Sequence, residues 1–391
     1  MTSPRRIYFD HAATSWPKHS DVLDAMDRYA RDCGAASGRG QYQSANQADA
    51  ILRSARLGLS RLIGSPAAES IAFFSNGTQA INAAVAGIVR DGDHVVTTAA
   101  EHNSVLRPLS HLAAARDVTL TIVDCDRDGV VRADDVLDAV TDSTRLVAVT
   151  SASNVTGAEQ PIQAIGDGLR NRGTTGNSTA FLCDAAQTFG YLPIDVQACG
   201  IDLLAAPGHK GGGGPQGTGF LYVSPDWHDQ INASVFGGTG SQSESLEMPT
   251  AMPAKLEPGN LNVAAIAGWD VAIKQIAARD SKVYSETLSS VARQLNEGLL
   301  AIKSIRVFGK PGRLPIVSLA IDGFVPTDLS AILDAQFSIE TRAGLHCAAL
   351  IHEPIGSAPA GTLRISGSVT TTSEEIDAVI EAIRQIADSV G

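Results

Sequence analysis

The feature that most constrains this 391-residue chain is an alternation of short apolar runs with helical patterns between residues 71 and 223. Seven runs of four or five residues have the composition of buried strands. They cover residues 71–74, 94–98, 119–123, 146–150, 180–184, 202–205 and 219–223. Such an alternation is typical of a mostly parallel sheet that helices cover on both faces. The sequence therefore predicts an α/β fold built on a seven-stranded sheet.

The pattern changes outside this region. Helical periodicity predicts helices over 20–33, 44–63 and 263–279, and residues 227–257 are rich in loop-forming residues. Strands predicted at 305–308, 316–321 and 363–366, with a last helix starting at a capping box of Thr372 and Glu375, indicate a smaller α+β domain. The apolar stripe of that helix is predicted to be core: Ile376, Val379, Ile380, Ile383 and Ile386. We expect a large domain over 15–260 and a small domain over 261–391 that also takes in residues 1–14.

Composition excludes several classes of function. The net charge of −12 and the lack of a basic stretch argue against a nucleic-acid partner and favour a small molecule. No run of 18 uncharged apolar residues is present, and the N-terminus has no apolar leader, so we expect a cytoplasmic protein that does not enter a membrane. The five cysteines are widely spaced and include no CxxC pair, which indicates neither a disulfide framework nor a metal site.

Reactive groups follow several of the predicted strands. In open α/β sheets, ligands bind outside the carboxyl ends of the strands, so these groups are expected to meet at one edge. Gly77 and Thr78 open a helix, whose free N–H groups form an anion site. An imidazole, an amide, a carboxylate, a second amide and an amine follow later strands: His102, Asn154, Asp184, Gln187 and Lys210. This set matches the needs of pyridoxal phosphate, whose phosphate, ring nitrogen, ring face and aldehyde each require one such partner.

Lys210 stands between a buried strand and the glycine-rich residues 211–219. It is one of only seven lysines, against 23 arginines. A lysine held at such a point is a candidate for a lowered pKa and for Schiff-base chemistry. Taken alone, this stretch also allows an ordinary exposed lysine beside a flexible turn.

The order and spacing of these groups resemble pyridoxal-phosphate enzymes of fold type I, within the class V aminotransferase-like group that contains cysteine desulfurases and selenocysteine lyases. The resemblance extends from Tyr8 to Arg364, nearly the whole chain. It implies that Lys210 carries the cofactor as a Schiff base, Asp184 pairs with the pyridinium nitrogen and His102 stacks on the ring. It also implies contacts to the ring oxygen and the phosphate from a further set: Asn154, Gln187, Gly77, Thr78 and His209.

Two positions depart from the family pattern. Pro207 stands where relatives usually have a Ser or Thr before Gly-His-Lys, so that hydroxyl is absent from the phosphate site. Asn260 stands where many relatives have a Thr that reaches the phosphate of the neighbouring subunit. Two consequences are open: weaker binding of the phosphate, or compensation by backbone groups together with Gly240 and Ser241.

A second informative stretch runs from Arg342 to Cys347 and is similar to the short-loop, second group of cysteine desulfurases. By resemblance, Cys347 accepts the sulfur and Arg364 binds the substrate carboxylate, for which a guanidinium offers a bidentate fork. Neighbouring positive charge would favour the Cys347 thiolate. We also assign His11 and Asn154 to the substrate side. The other four cysteines are expected to be inert, as buried free cysteines usually are.

The implied reaction starts when L-cysteine displaces Lys210, which then removes the Cα proton. Cys347 attacks the substrate sulfur, alanine leaves and a persulfide remains, while His102 moves a proton near the substrate thiol. The resemblance further implies a homodimer and a protein that receives the sulfur. Alternatives within the fold are a selenocysteine lyase, another C–S lyase or an aminotransferase. An alternative outside enzymes is a sulfur carrier or scaffold that retains the fold.

Overall fold

The fold was obtained as a computed structural model, which describes residues 6–38, 40–172, 179–240 and 244–389. Its N-terminal part holds the short strand β1 (Ile7–Tyr8) and the helices α1 (Ser20–Asp32) and α2 (Gln43–Leu62). Both helices agree with the predicted ranges to within one residue at each end. Helix α1 starts where the ring of His19 accepts a hydrogen bond from the backbone N–H of Asp21, which satisfies one of the free donors of the first turn.

A seven-stranded sheet with its connecting helices forms the middle part of the chain, as predicted. In chain order its elements are β2 (Ile71–Phe74), α3 (Gly77–Ile88), β3 (His94–Thr98), α4 (Asn103–Ala115), β4 (Thr119–Val123), α5 (Ala133–Asp138), β5 (Thr144–Thr150), α6 (Ile162–Asn171), β6 (Ala180–Asp184), β7 (Leu203–Pro207) and β8 (Gly219–Val223). The strand order is β2-β8-β7-β6-β5-β3-β4, and β8 alone runs antiparallel to its neighbours. Each strand lies within two residues of its predicted range, and the mostly parallel α/β fold is confirmed.

The central strands carry continuous apolar runs because helices cover both faces of the sheet. Every residue of β6, β7 and β8 is buried. The register pairs Thr150 at the end of β5 with Asp184 at the end of β6, and Asp184 in turn with Ala205 of β7. This alignment brings the residues that follow the parallel strands to a common edge.

The C-terminal part begins with the helices α7 (Val263–Ala278) and α8 (Ser281–Leu300). A four-stranded antiparallel sheet of order β12-β13-β10-β9 follows. The remaining elements of the C-terminal part, in chain order, are β9 (Ile305–Phe308), β10 (Ile316–Ile321), α9 (Pro326–Phe337), β11 (Ile339–Glu340), β12 (Arg342–Gly344), β13 (Thr362–Ser366) and α10 (Ser373–Asp388). Strand β1 pairs in parallel with β11, so the N-terminal strand joins this part of the molecule.

Helix α10 confirms the predicted capping box, in which Thr372 and Glu375 each bind the other's backbone N–H. Its predicted apolar stripe is buried. Helices α8 and α9 were not predicted, although α8 carries Leu288, Val291, Leu295 and Leu299 at helical spacing on its buried face. Among the described residues, no helix combines the length and the apolar character needed to cross a membrane.

Candidate active site

A cavity of about 210 Å³ lies at the edge of the large sheet where the parallel strands end. Nine of the predicted residues line it: Gly77, Thr78, His102, Asn154, Asp184, Gln187, His209, Lys210 and Arg364. Cys347 lies in an adjoining cleft of about 450 Å³, which shares Thr78, His102 and Ser104 with the cavity. A larger surface cleft, about 750 Å³, lies at the opposite edge around Asp202 and Trp227, and the described residues that line it include no lysine, histidine or cysteine.

His11 does not line the cavity, although Ala12 and Ala13 do. Its ring is buried and packs edge-on against Tyr8, with the ring centroids 4.9 Å apart. Burial is also the main reason that its pKa is lowered to about 4. The lining of the cavity therefore does not support the assignment of His11 to the substrate side.

Lys210 reaches the cavity from the turn that follows β7. The pKa of its amine is lowered to about 8, mainly by removal from water and in part by the nearby guanidinium groups of Arg364 and Arg342. The Asp184 carboxylate opposes these effects. The amine therefore loses its proton more readily than an exposed lysine does, and the neutral amine is the form that reacts with a carbonyl.

The lowered pKa predicts how the reactivity of Lys210 depends on pH. In cofactor-free protein, the rate of acetylation of Lys210 by acetic anhydride should increase with pH through a midpoint near pH 8. The reason is that a lowered pKa allows the amine to lose its proton at a lower pH. Mass spectrometry of the Lys210 peptide measures the rate. Lys282, whose side chain is 85% exposed, serves as the reference in the same samples. A Lys210 midpoint near the ordinary lysine value of about 10.4 would contradict the buried setting.

Asp184 ends β6 and is 3% exposed. One carboxylate oxygen, Oδ1, accepts a hydrogen bond of 2.9 Å from the backbone N–H of Ala186. Burial raises the pKa of the carboxyl group, while that hydrogen bond and Lys210 lower it. A buried carboxylate facing a cavity is stabilised by a cationic N–H partner, and a protonated pyridine nitrogen is such a partner.

The N-terminus of α3 lies at the cavity, where the sequence predicts an anion site. The Oδ1 atom of Asn76 caps the helix by accepting a 2.9 Å hydrogen bond from the backbone N–H of Gln79. Gly77 and Thr78, the first two residues of the helix, line the cavity, and free N–H groups at a helix start attract anions. A Cβ on Gly77 would lie only 3.1 Å from the ring of Pro207, so glycine allows this close approach. Pro207 itself offers no donor, as the sequence implied.

His209 adds a polar group beside this helix terminus. Its Nδ1 is buried and has no hydrogen-bond partner within the described chain. Burial, together with Lys210 and Lys18, lowers the pKa of the ring to about 4, so the imidazole is neutral near pH 7. Asn260, by contrast, lines a separate cleft of about 540 Å³. Gly240 is not among the residues of the cavity wall, and Ser241 lies outside the described residues.

His102 caps α4 and lines both the cavity and the adjoining cleft. Its Nδ1 accepts a 3.0 Å hydrogen bond from the backbone N–H of Ser104. Burial and then the positive charge of Lys210 lower the pKa of its ring to about 4. The ring is therefore neutral near pH 7, and because Nδ1 is an acceptor, the proton sits on Nε2. This fixes the tautomer that faces any ligand.

Arg364 is 1% exposed and forms an ion pair of 2.6 Å with Asp10. It also donates to the backbone carbonyl of Asn154 at 2.9 Å, and its Nε has no partner within the described chain. The sequence did not point to Asp10 as a partner, because 354 residues separate the two. A buried guanidinium with a free donor, beside a cavity, is suited to bind a carboxylate.

Two amides complete the wall. Gln187 donates from Nε2 to the backbone carbonyl of Ala12 at 3.1 Å, while its buried Oε1 has no partner in the described chain. Asn154 donates from Nδ2 to the backbone carbonyl of His346 at 2.6 Å. Asn154 therefore connects the cavity to the loop that carries Cys347.

Cys347 is exposed and lies in an unusual backbone turn. His346 and Cys347 have φ angles of 50° and 57°, in the left-handed region that few residues other than glycine adopt. Arg342 donates to the sulfur of Cys347 at 3.3 Å, and the Cys347 carbonyl accepts from the N–H of Asn103 at 2.7 Å. The turn thus holds an accessible thiol beside a cation. Residues with strained backbone angles often cluster at functional sites.

The other cysteines differ from Cys347. Cys125 and Cys183 are buried, and Cys33 and Cys199 are partly buried. Burial raises the pKa of Cys125 to about 11 and also raises the pKa values of Cys183 and Cys199. These three remain protonated thiols, which agrees with the inert character expected for them.

The sequence assigned no role to Glu101, a buried acid just after β3. Glu101 is fully buried, and its Oε1 accepts hydrogen bonds from Thr98 Oγ1 at 2.7 Å and from the N–H of Thr150 at 2.8 Å. Burial raises its pKa to about 8, so the group is mostly protonated at neutral pH. It ties the end of β3 to the end of β5. The signal in the sequence was an acidic residue directly before His102.

Comparison with known proteins gives consistent results. The aminotransferase class-V family matches residues 7–379. A probable cysteine desulfurase of Methanothermobacter thermautotrophicus is 34% identical over 97% of this chain and 94% of its own length. A cysteine desulfurase of Haloferax volcanii is 28% identical over 96% of this chain and 88% of its own length.

Solved structures show the same likeness. The apo cysteine desulfurase of Thermococcus onnurineus superposes with a TM-score of 0.90 at 27% identity, covering 98% of this chain and 95% of the other. The Escherichia coli cysteine desulfurase CsdA superposes with a TM-score of 0.86 at 26% identity and the same coverage. The chain therefore belongs to the aminotransferase class-V family, together with the cysteine desulfurases.

Proposed function

We propose that this chain is a pyridoxal-phosphate-dependent cysteine desulfurase, which converts L-cysteine to L-alanine and retains the sulfur on Cys347 as a persulfide. The observation that carries the proposal is the position of two reactive groups in adjoining clefts: a buried amine on Lys210 and an exposed thiol on Cys347. The names of the relatives support the same activity.

The residues of the cavity fit the cofactor. Within the described chain, three buried polar atoms of wall residues lack partners, namely Gln187 Oε1, His209 Nδ1 and Arg364 Nε. An anion site at α3 and the buried Asp184 carboxylate complement a phosphate and a protonated ring nitrogen. Lys210 would hold the cofactor, which supplies an acceptor for the electrons released at the substrate Cα.

The chain's own groups account for binding and proton transfer. Arg364 would bind the substrate carboxylate through its free donor. A pKa of about 8 places the Lys210 amine within range to take the Cα proton near neutral pH. The neutral His102, with its proton on Nε2, would exchange a proton with the substrate thiol.

Sulfur transfer follows from the position of Cys347. Its thiolate would form a bond to the substrate sulfur as the Cβ–S bond breaks. The electron pair of that bond goes to Cβ, which takes a proton and leaves as the methyl group of alanine. The exposed turn then presents the persulfide to an acceptor protein.

The direct test is a single assay on L-cysteine with the cofactor-loaded protein. We expect alanine in amounts that match the enzyme-bound persulfide without reductant, and repeated turnover once a reductant or thiol acceptor is added. Mass spectrometry should locate an added sulfur atom on the Cys347 peptide. Formation of pyruvate and free sulfide instead of alanine would contradict the proposal, because it would show elimination rather than transfer to Cys347.

Homodimer formation is a further expectation. The loop between β8 and α7 exposes large apolar side chains, including Val235 at 62% and Phe236 at 76%. Sedimentation should give twice the 40.7 kDa chain mass. Because burial of such residues stabilises an interface, Phe236→Asp should shift the protein toward monomer. Val325→Asp, at a 51% exposed site on the small domain, is the matched control. An active monomer for the unmodified protein would contradict this expectation.

A further inference from the structure

The backbone next to Lys210 forms hydrogen bonds with residues 14–18, which are distant in sequence. Lys210 lies in an irregular turn between β7 and a glycine-rich loop, so no strand or helix ladder fixes it. The carbonyl oxygen of His209, the other half of the peptide bond to Lys210, lies close to a turn formed by residues 14–18 near the N-terminus. Four donors of that turn lie within hydrogen-bond distance of this one oxygen: Thr14 Oγ1 at 3.1 Å, Ser15 N at 3.0 Å, Ser15 Oγ at 3.2 Å and Lys18 Nζ at 2.7 Å.

Lys18 is the unusual member of this group. It is the only charged donor of the four and makes the shortest contact. Its Nζ also lies 2.7 Å from Ser15 Oγ, which in turn contacts the carbonyl oxygen of Lys210 at 3.0 Å. Lys18 forms no ion pair with any carboxylate in the described part of the chain, and burial lowers its pKa to about 8.

Burial of an ammonium group without a counter-ion costs free energy of folding. Attachment of an N-terminal segment does not require such a buried ammonium. The neutral groups of Thr14 and Ser15 already satisfy the carbonyl, which has two lone pairs. Charge-assisted hydrogen bonds are shorter and about twice as strong as neutral ones, so they restrict rotation of a peptide unit more tightly. The ammonium therefore has an effect beyond attachment of the N-terminus.

We propose that Lys18 is a positioning residue for Lys210, whose ammonium group fixes the His209–Lys210 peptide and thereby directs the Lys210 side chain into the cavity. Lys18 does not line the cavity, so it acts through the backbone and not on the substrate. The flexible arm of Lys210 amplifies any rotation of its peptide, and displacement of a reacting group by about 1 Å can slow a reaction by about 100-fold. This inference rests on the proposed function only in taking Lys210 as the cofactor lysine.

The test compares Lys18→Met, which removes the charge, with Lys18→Arg, which keeps it. For Lys18→Met we expect kcat to fall by about 10-fold or more, with KM for L-cysteine within about twofold of the parent. The rate at which borohydride traps the cofactor on Lys210, read from the mass of the peptide, should fall as well. Lys18→Arg should recover most of both. Lys282→Met, at an 85% exposed lysine of α8, is the control and should behave as the parent.

The outcomes separate the inference from the proposed function. Parent-like kcat and trapping in Lys18→Met would overturn the positioning role, as would equal impairment of Lys18→Arg, since that pattern indicates packing only. If Lys18→Met does not fold, Lys18→Gln provides the neutral comparison with Lys18→Arg. Failure of the parent itself to trap cofactor on Lys210 would instead contradict the proposed function.

Discussion

Replacement of Lys210 by alanine should remove both the covalent attachment of the cofactor and the base that takes the Cα proton. We expect turnover of L-cysteine to fall by at least about 10³-fold, because a positioned general base alone contributes about 10² to 10⁴ and the covalent link is lost as well. Absorbance of the reconstituted protein and alanine formation are the measurements. Borohydride treatment of the variant should leave no cofactor on its peptides.

Lys18 is the lysine that could complicate this result, since its amine lies 2.7 Å from the His209 carbonyl. It lies outside the cavity wall, so we do not expect it to replace Lys210. Lys282→Met controls for the loss of a lysine in general, because its side chain is exposed and pairs only distantly, at 4.0 Å, with Glu286. Cofactor-dependent turnover close to that of the parent in Lys210→Ala would refute the assignment of Lys210.

Replacement of Cys347 by serine tests the second reactive group. The variant should keep the visible spectrum of the bound cofactor, because Lys210 and Asp184 are unchanged. Desulfuration should nevertheless fall by roughly 10³-fold or more, since a hydroxyl group has a far higher pKa than a thiol and cannot supply the attacking anion. Alanine release under single-turnover conditions is the measurement that isolates this step.

The matched control for Cys347→Ser is Cys199→Ser, which changes a partly buried thiol that does not line the cavity and should leave the rate as it is. If Cys347→Ser still produced alanine or pyruvate at nearly the parent rate, the sulfur would leave the substrate without transfer to Cys347. That result would remove the desulfurase proposal while the fold and the family would stand.

Much of the seven-stranded sheet could be predicted from the sequence because its signals are local. A strand buried on both faces must be apolar throughout, and β6 (Ala180–Asp184) and β8 (Gly219–Val223) show this directly. The meeting of Thr78, His102, Asp184 and Lys210 was also predictable, since the carboxyl ends of parallel strands share one edge. The role of each residue within the set came from the family resemblance and not from its position.

The sequence by itself thus determined the class of the fold, the edge of the sheet that carries the site and most of the groups at that edge. Only the tertiary structure decided contacts between distant parts of the chain: the ion pair of Arg364 with Asp10, the exposure of Cys347 beside Arg342, the contact of Lys18 with His209, and the exclusion of His11 from the cavity wall. The physical reason is that periodicity reports which face of an element is buried. Periodicity carries no information about which distant polar group a side chain meets, because that depends on how the N-terminal segment and the C-terminal four-stranded sheet pack against the edge of the large sheet.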